Sequence, residues 1–547
     1  MLDRYDESSL LIARFPKDRL TISAGQKRLS LFFAEYYLKV RVLFGLKTES
    51  VTSGLERVKN QLLHFFEQIA PENREQKLNL QDMVCEAISR VIVEAEVELD
   101  QKLPSCRELA ATLGVSRNTV NAAYMQLIDA GLIESRERSG YFICPSSTRS
   151  SPLAERSSIE AQTSTLSIDL IDPNLSTLDS PVDWQDFAYP FTYNQIDPLL
   201  FPLDSWRECA RTVLGRKHTL DWIRDSIDTD SGHLISQIRK RLLTSRGILA
   251  AEHEIMITTG SQGGLAILAA VFAKKPGRVA IENPGYFGAR DAFQLFGNTM
   301  VGVPVDEKGL DASAIPTDAK LIFSTPAHQF PTMVTMTVSR RHELLERAKA
   351  HNFFIIEDDY EAEMNFFKHS VPTLRSLDPE RVIYLGSFSK TISPGLRVGF
   401  MVAHPSIIQA ARQARAAMYR HAPLFLQEVI ALFIRKGYFE AHLRNLEKSY
   451  KTRWTLTHQA IQKHLGFLKV SSTQGGTSFW LEGPLSLNAM ELKAKLRARS
   501  VLIDSGDNYY LERTHNSGFR LGFAFVPIDK IEEGIRIISE EIDRLLS

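Results

Sequence analysis

The chain has 547 residues, 44% hydrophobic and 24% charged, a balance that excludes a disordered or fibrous protein. Lys and Arg together number 65, as do Asp and Glu, so contact with a polyanion must come from local placement of basic groups. Four cysteines, Cys85, Cys106, Cys144 and Cys209, stand far apart without paired spacing, which argues against a disulfide scaffold or a zinc site and suits a reducing compartment.

The start, MLDRYDESSL, has no apolar core behind a basic segment, and the apolar stretch Leu265 to Ala273 is too short to span a bilayer. The expectation is a soluble, cytoplasmic protein. Residues 1 to 77 form an N-terminal extension with apolar runs and a helical period around Leu55 to Ile69, but no recognisable chemistry. Residues 78 to 145 read as a compact helical module, 146 to 167 as a linker and 168 to 547 as a large α/β domain. Half of the linker is Ser or Thr and it has no aromatic residue, so it cannot bury enough surface to offset its ordering entropy.

Within the helical module, Leu103 to Ile143 carries the densest pattern. Ser105 is placed to cap a helix running to Leu113, and Gly114 to end it. Ser116 caps a second helix with Val120, Ala123, Tyr124 and Leu127 at inward spacing. Two short helices joined by Gly-Val-Ser form a helix-turn-helix, which sets its second helix in the major groove of double-stranded DNA. Arg117, Asn118, Thr119 and Asn121 open that helix, where base edges and phosphates are reached. ESRERSGYF then reads as a β-hairpin wing with Arg136 and Arg138 near its tip. From Leu78 to Pro145 there are six basic and ten acidic residues, so affinity must come from a focused basic face.

This segment resembles the winged-helix domain of GntR-type repressors, whose pattern LPS-R-LA-LGVSR-TV-AY-L-G it matches almost throughout. The resemblance implies DNA contacts by Arg107, Arg117 and Asn121, with the wing at the minor groove or phosphates.

The large domain alternates apolar runs (EIMITTG, RVAIENP, KLIFSTP, FFIIEDDY, RVIYLGSFSK, VGFMVAH) with helices, which predicts a mostly parallel sheet covered on both faces. Lys390 follows the strand beginning at Arg381, with Ser387, Ser389 and Thr391 beside it and Arg397 seven residues on. A lone lysine in such a loop is ordinarily solvated. At the carboxyl end of a sheet strand it points into the ligand crevice, where an amine beside a phosphate hook suits Schiff-base chemistry. Asp358 and Tyr360 end another apolar strand. A carboxylate there can hold a pyridinium nitrogen protonated. ITTGSQGG reads as a strand, a turn and a helix whose first amides, at Ser261 and Gln262, form an anion site. Tyr286, on a turn in ENPGYFGAR, offers a face to a flat ring.

In this chain order the motifs resemble the fold-type I aminotransferases, and their fusion behind a GntR-like module resembles the MocR-type regulators. The resemblance implies an α+β winged helix-turn-helix followed by a pyridoxal 5'-phosphate-binding α/β domain with a smaller C-terminal α+β subdomain, acting as a homodimer. It implies Lys390 as the imine-forming lysine, Asp358 as the partner of the pyridine nitrogen and Tyr360 as that of the phenolic oxygen. Ser261, Gln262, Ser387, Ser389 and Arg397 would hold phosphate and Tyr286 would stack on the ring. TPAHQFPTM is similar to the family's TP-HQ-PTG, so His328 and Gln329 are expected at the pocket, and Arg520 where aminotransferases clamp a carboxylate. Three departures stand out: Met333 replaces the glycine of PTG, no tyrosine lies between Thr219 and Ile235, and the acid after Gly277 is missing.

These implications lead to a transcription regulator that senses an amino acid or amine through an external aldimine at Lys390. It would not be a dedicated enzyme. The rival is a working aminotransferase carrying a DNA-binding domain; a third is a cofactor-free dimerisation scaffold.

Overall fold

The computed structural model describes residues 54–76, 79–94, 101–137, 139–144, 183–192, 196–226, 229–273, 277–366, 371–471, 475–512 and 517–547. The expected linker, most of the N-terminal extension and Arg138 lie outside these. The chain divides into two compact units at the Ile168/Asp169 junction.

In the first unit, helix α1 (Gly54–Gln76) and helix α2 (Leu80–Glu94) precede helices α3 (Cys106–Leu113) and α4 (Arg117–Asp129) and a hairpin, β1 (Ile133–Arg136) and β2 (Gly140–Ile143). Val58 and Leu62 of α1 are buried in one core with Val84 and Ile88 of α2, Leu109 of α3, Val120 and Tyr124 of α4, and Ile133 and Ile143 of the wing. The boundary expected at residue 77 therefore falls between two helices that share a core. A helix with an apolar stripe at Val58, Leu62 and Ile69 must bury it against a partner, and α1 does so on the winged helix.

The local signals act as read. Ser105 Oγ accepts from the Glu108 amide at 3.3 Å while the Glu108 carboxylate accepts from the Ser105 amide at 2.9 Å, a reciprocal capping box. Gly114 ends α3 at φ 67°, a left-handed turn that costs glycine little. Ser116 Oγ caps α4 through the Thr119 amide at 3.1 Å.

The second unit contains β3 (Tyr189–Pro190), β4 (Ile255–Thr258), β5 (Arg278–Asn283), β6 (Thr299–Asp306), β7 (Gly309–Leu310), β8 (Ala319–Ser324), β9 (Phe354–Asp358), β10 (Val382–Ser387) and β11 (Gly399–Val402). Strands β12 (Lys469–Val470), β13 (Ser478–Glu482), β14 (Val501–Leu502), β15 (Asp504–Ser505) and β16 (Gly518–Gly522) follow. The main sheet runs β4-β11-β10-β9-β8-β5-β6-β7. From β10 to β6 it is parallel, and β11 is antiparallel to both neighbours. All six apolar runs singled out in the sequence form strands of this sheet. A strand buried on both faces reads as an unbroken apolar run, and β6, with Gly302 and Pro304, does not.

The smaller C-terminal subdomain is an antiparallel sheet, β12-β13-β16-β15. Its core joins Phe479 and Leu521 of the sheet to Leu446 and Tyr450 of the helix Tyr438–His464 and to Ile535 and Ile538 of the helix Ile531–Leu546. No described helix is long and apolar enough to cross a membrane.

Candidate functional site

Parallel strands converge their carboxyl ends on one edge of the sheet, and there the loops after β4, β5, β8, β9 and β10 enclose a cavity of about 340 Å³. Ser261, Gln262, Tyr286, Asp358, Tyr360, Ser387, Ser389, Lys390 and Arg397 all line it. Every residue expected to touch a cofactor is thus brought to one place from four separate stretches of chain. Phe287, Gly288, Asp291, Thr325 and Phe330 complete the wall and were not singled out in the sequence.

β9 and β10 set the chemistry. Their parallel register pairs Asp358 with Leu385, so one strand end delivers the carboxylate and the next delivers Lys390 a turn later. Lys390 is buried, with Nζ 3.8 Å from Glu361 Oε1. Burial brings its amine down to about 7, opposed by the Glu361 charge and assisted by that of Arg520. Asp358 is buried too, and desolvation raises its carboxyl to about 7 against the opposing pull of the Ser261 hydroxyl, with the Asp359 and Glu282 charges adding to the rise. An amine and an acid whose ordinary values lie far apart thus titrate together near neutrality, a mark of functional sites.

At the far end of the cavity Gly260 opens the helix Gly260–Phe272 at φ 73°, and a Cβ there would sit 3.1 Å from Arg397 Nη2. The Arg397 guanidinium donates to Thr259 O at 3.3 Å, and the Ser389 amide to Ser387 Oγ at 3.1 Å. Tyr286 is fixed by donating to Gln262 Oε1 at 3.1 Å, while Gln262 Nε2 donates to Gly288 O at 2.8 Å.

The cavity fits pyridoxal phosphate on its own donor set. Asp358 Oδ1 and Ser261 Oγ are both buried and neither makes a close hydrogen bond, although the Ser261 hydroxyl is near enough to favour the Asp358 carboxylate. The first suits a protonated ring nitrogen, the second a phosphate oxygen at a helix start beside Arg397.

Three expectations need correction. Gln329 does not line the cavity. Its Nε2 donates to Glu282, Pro284 O and Phe330 O, and its Oε1 accepts from the amide and hydroxyl of Thr332. An amide with every group engaged shapes the loop and has nothing left for a ligand. His328 is also buried outside the lining. Burial pushes its imidazole pKa down against the pull of Glu361 and Asp359, and its Nδ1 has no hydrogen-bond partner. Arg520 is wholly buried and not part of the cavity wall, although its charge reaches Lys390 and its guanidinium also interacts with Tyr509. Its Nε donates to Ser478 Oγ at 2.7 Å and its guanidinium lies 4.5 Å from the centre of the Phe330 ring.

On the winged helix, Arg107, Arg117, Asn118 and Asn121 are exposed and Thr119 is half-buried, its hydroxyl 2.8 Å from the capping Ser116 Oγ. Arg136 in the wing pairs with Glu134 at 2.5 Å and lies over Phe142.

A winged helix in one unit and a lysine-bearing pocket of the aminotransferase type in the other define a regulator with a small-molecule domain. The family model "Aminotransferase class I and II" matches residues 202–538, and "Bacterial regulatory proteins, gntR family" matches 80–143. The chain is 36% identical to the HTH-type transcriptional regulator TauR of Rhodobacter capsulatus over 85% of this chain and 96% of that one. It is 27% identical to the probable rhizopine catabolism regulatory protein MocR of Rhizobium meliloti over 85% and 94%. The kynurenine aminotransferase of Pyrococcus horikoshii superposes with a TM-score of 0.64 at 26% identity, covering 69% of this chain and 98% of that one. The chain belongs to the GntR-type transcription regulators of the MocR group, which carry a domain of the pyridoxal-phosphate-dependent aminotransferase class I and II family.

Proposed function

We propose that this chain regulates transcription by binding DNA through its winged helix while sensing an amino acid or amine through pyridoxal 5'-phosphate held at Lys390. The observation that carries the reading is the pairing of Lys390 and Asp358 in one buried cavity of a chain that also bears a GntR-type module.

When bound, the cofactor supplies an aldehyde that exchanges amines and a ring that withdraws electrons. The chain's own residues do the rest. Asp358 offers its buried oxygen to the ring nitrogen, and its charge is retained when that nitrogen carries a proton. Ser261, Ser387, Ser389, Arg397 and the Gly260–Phe272 helix start hold the phosphate, and Tyr286 faces the ring. Tyr360 is in reach of the phenolic oxygen. Lys390, its amine brought down to about 7 by burial, would attach the cofactor without first shedding a tightly held proton. Were an amine to displace it there, the freed Lys390 would change the charge balance beside Glu361. That change biases the two states of the domain and thereby the presentation of the winged helices, in a homodimer reading two half-sites.

A visible spectrum of the cofactor-loaded protein across a panel of amines, measured beside DNA binding, tests the reading. Spectrum and DNA affinity should respond over one concentration range, because both report one equilibrium. Steady turnover with a keto acid at about 1–10³ per second and no effect on DNA would establish the aminotransferase reading instead.

A further inference from the structure

Apart from the lysine cavity, three helices of the second unit bring an imidazole and two carboxylates together. Asp221 lies on the short helix Thr219–Trp222, His233 on the helix Gly232–Gln237 and Glu428 on the helix Leu424–Arg435. One ligand-type atom from each stands within 4.8 Å of the other two. His233 is exposed, Asp221 half-buried and Glu428 buried. Apolar packing makes the three helices meet. Trp222 touches Phe425 edge-on at 5.4 Å, and Leu234 and Ile235 share a core with Val429 and Ile430. The Ser231 amide also donates to Gln427 Oε1 at 2.9 Å.

The carboxylates are oriented as metal ligands are. Glu428 accepts from the Ser231 hydroxyl at 2.6 Å through Oε1 and turns Oε2 to His233 Nδ1 at 2.9 Å. Asp221 Oδ2 lies 3.3 Å from His218 Nδ1. Each carboxylate thus has a donor outside the trio, the kind of supporting bond that fixes a ligand's direction. Two ligand atoms on a tetrahedral zinc ion, each about 2.0–2.2 Å from it, stand about 3.4 Å apart. The separations here run from 2.9 Å to at most 4.8 Å and bracket that value. The rotations that even them out fall on Asp221 and His233, whose side chains reach solvent. An imidazole nitrogen with two carboxylate oxygens suits zinc and its neighbours among the transition ions, whereas calcium and magnesium take oxygen ligands. The set contains no cysteine, so the spacing of the cysteines has no bearing on it.

We propose that Asp221, His233 and Glu428 form a binding site for one divalent transition ion of the zinc type, with water completing the coordination. The ion takes the place of the proton between His233 Nδ1 and Glu428 Oε2, and the neutral ring keeps its proton on Nε2. It ties the helices Thr219–Trp222 and Gly232–Gln237 to the helix Leu424–Arg435. The site is independent of amine exchange at Lys390.

The test uses the full chain without an affinity tag, loaded with pyridoxal 5'-phosphate, stripped of metal by a chelator and desalted. It is then dialysed to equilibrium against zinc chloride held at fixed free concentrations by a competing chelator. The wild type should retain one zinc per chain, measured by atomic emission. His218→Ala, which removes only a supporting bond, should weaken binding about 10- to 100-fold, and His233→Ala, which removes a ligand, by at least as much. Glu428→Gln should do the same; where it does not fold, His233→Ala, at an exposed side chain, carries the test. His253→Ala, at an exposed histidine outside the trio, should leave binding unchanged. Zinc held equally by the wild type and His233→Ala, which is adventitious binding only, overturns the proposal, and so does a wild type that holds none.

A second readout is unfolding. Only the folded chain brings the three ligands together, so zinc should raise the unfolding temperature of the wild type and leave that of His233→Ala unmoved. A wild-type transition that zinc does not move, or an equal rise in both proteins, overturns the proposal.

Discussion

The buried carboxylate of Asp358 makes an unusual prediction: removing its charge should stabilise the cofactor-free protein while impairing cofactor binding. Burial raises this carboxyl from its ordinary 3.8 to about 7, a difference of about three units. At 1.36 kcal/mol per unit, keeping the carboxylate ionised inside the fold costs up to about 4 kcal/mol. The unfolded chain ionises at the ordinary value. Stability from this group is therefore fully present below about pH 4 and is lost as the pH rises through about 7. Asp358→Asn removes that loss but leaves a buried amide, whose unmet hydrogen bonds cost about 1–3 kcal/mol. The net expectation is a variant more stable by about 1–3 kcal/mol at pH 8.5 and no more stable than the wild type at pH 5.

All five tryptophans, Trp184, Trp206, Trp222, Trp454 and Trp480, lie in the second unit, so urea unfolding followed by tryptophan fluorescence reads that unit alone. The same variant should lose pyridoxal phosphate more readily on dialysis, because the ring nitrogen loses its anion. Equal stability of the two proteins at pH 8.5, or a difference that does not change with pH, would refute the reasoning.

Other outcomes follow from single contacts. Lys390→Ala should abolish the borohydride-reducible adduct with pyridoxal phosphate while the unfolding transition persists; an unchanged adduct, mapped by mass spectrometry, would remove Lys390 from its role. Arg117→Ala should weaken specific DNA binding roughly 5- to 100-fold, the span of an arginine–guanine contact of about 1–3 kcal/mol, and leave the cofactor spectrum intact; gel-shift titration reads both halves. Ser105→Ala removes the hydroxyl that accepts from the Glu108 amide in the α3 capping box and should cost about 1 kcal/mol, read by thermal unfolding of the winged-helix unit followed by circular dichroism.

The sequence was most informative where structure is local. Helix caps act within four residues, so Ser105, Gly114 and Ser116 were legible without knowing the fold. The strands of the buried sheet announced themselves as apolar runs, and residues that follow such runs, Asp358 and Lys390 among them, inherit their position from the strand. What escaped depends on contacts distant in sequence. Glu361 reads as one acid among several in EDDYEAE, and only the approach of Thr477 and Lys390 gives it a partner. Gln329 carries no mark that Glu282, some forty residues away, will consume it. Arg520 had the right residue type at the right strand, but its contacts with Ser478, Phe330 and Met333 come from distant parts of the chain. For Met333 the one clue was a side chain where the family has glycine, which identifies the strained position but not the direction in which the side chain points.

Two carboxylates show how the structure separates scaffold from site. Glu282 and Asp358 both end apolar strands of the same sheet, and burial raises the pKa of both. Glu282 accepts four hydrogen bonds, from Ser324 Oγ, the Thr325 amide, Thr325 Oγ1 and Gln329 Nε2. Its lone pairs are spent on the loop that carries Phe330 and Met333. Asp358 has an oxygen that makes no close hydrogen bond, aimed at a cavity that also receives a lysine. A fold selected for stability alone would satisfy or neutralise that oxygen, since replacing a buried anion by a neutral isostere is favourable. Its retention as an acid beside a lysine whose amine is lowered by burial is accounted for when a protonated ring nitrogen supplies a close partner. The same comparison predicts that Glu282→Gln gains less stability at pH 8.5 than Asp358→Asn, because the amide nitrogen it introduces would face the Ser324 and Thr325 donors.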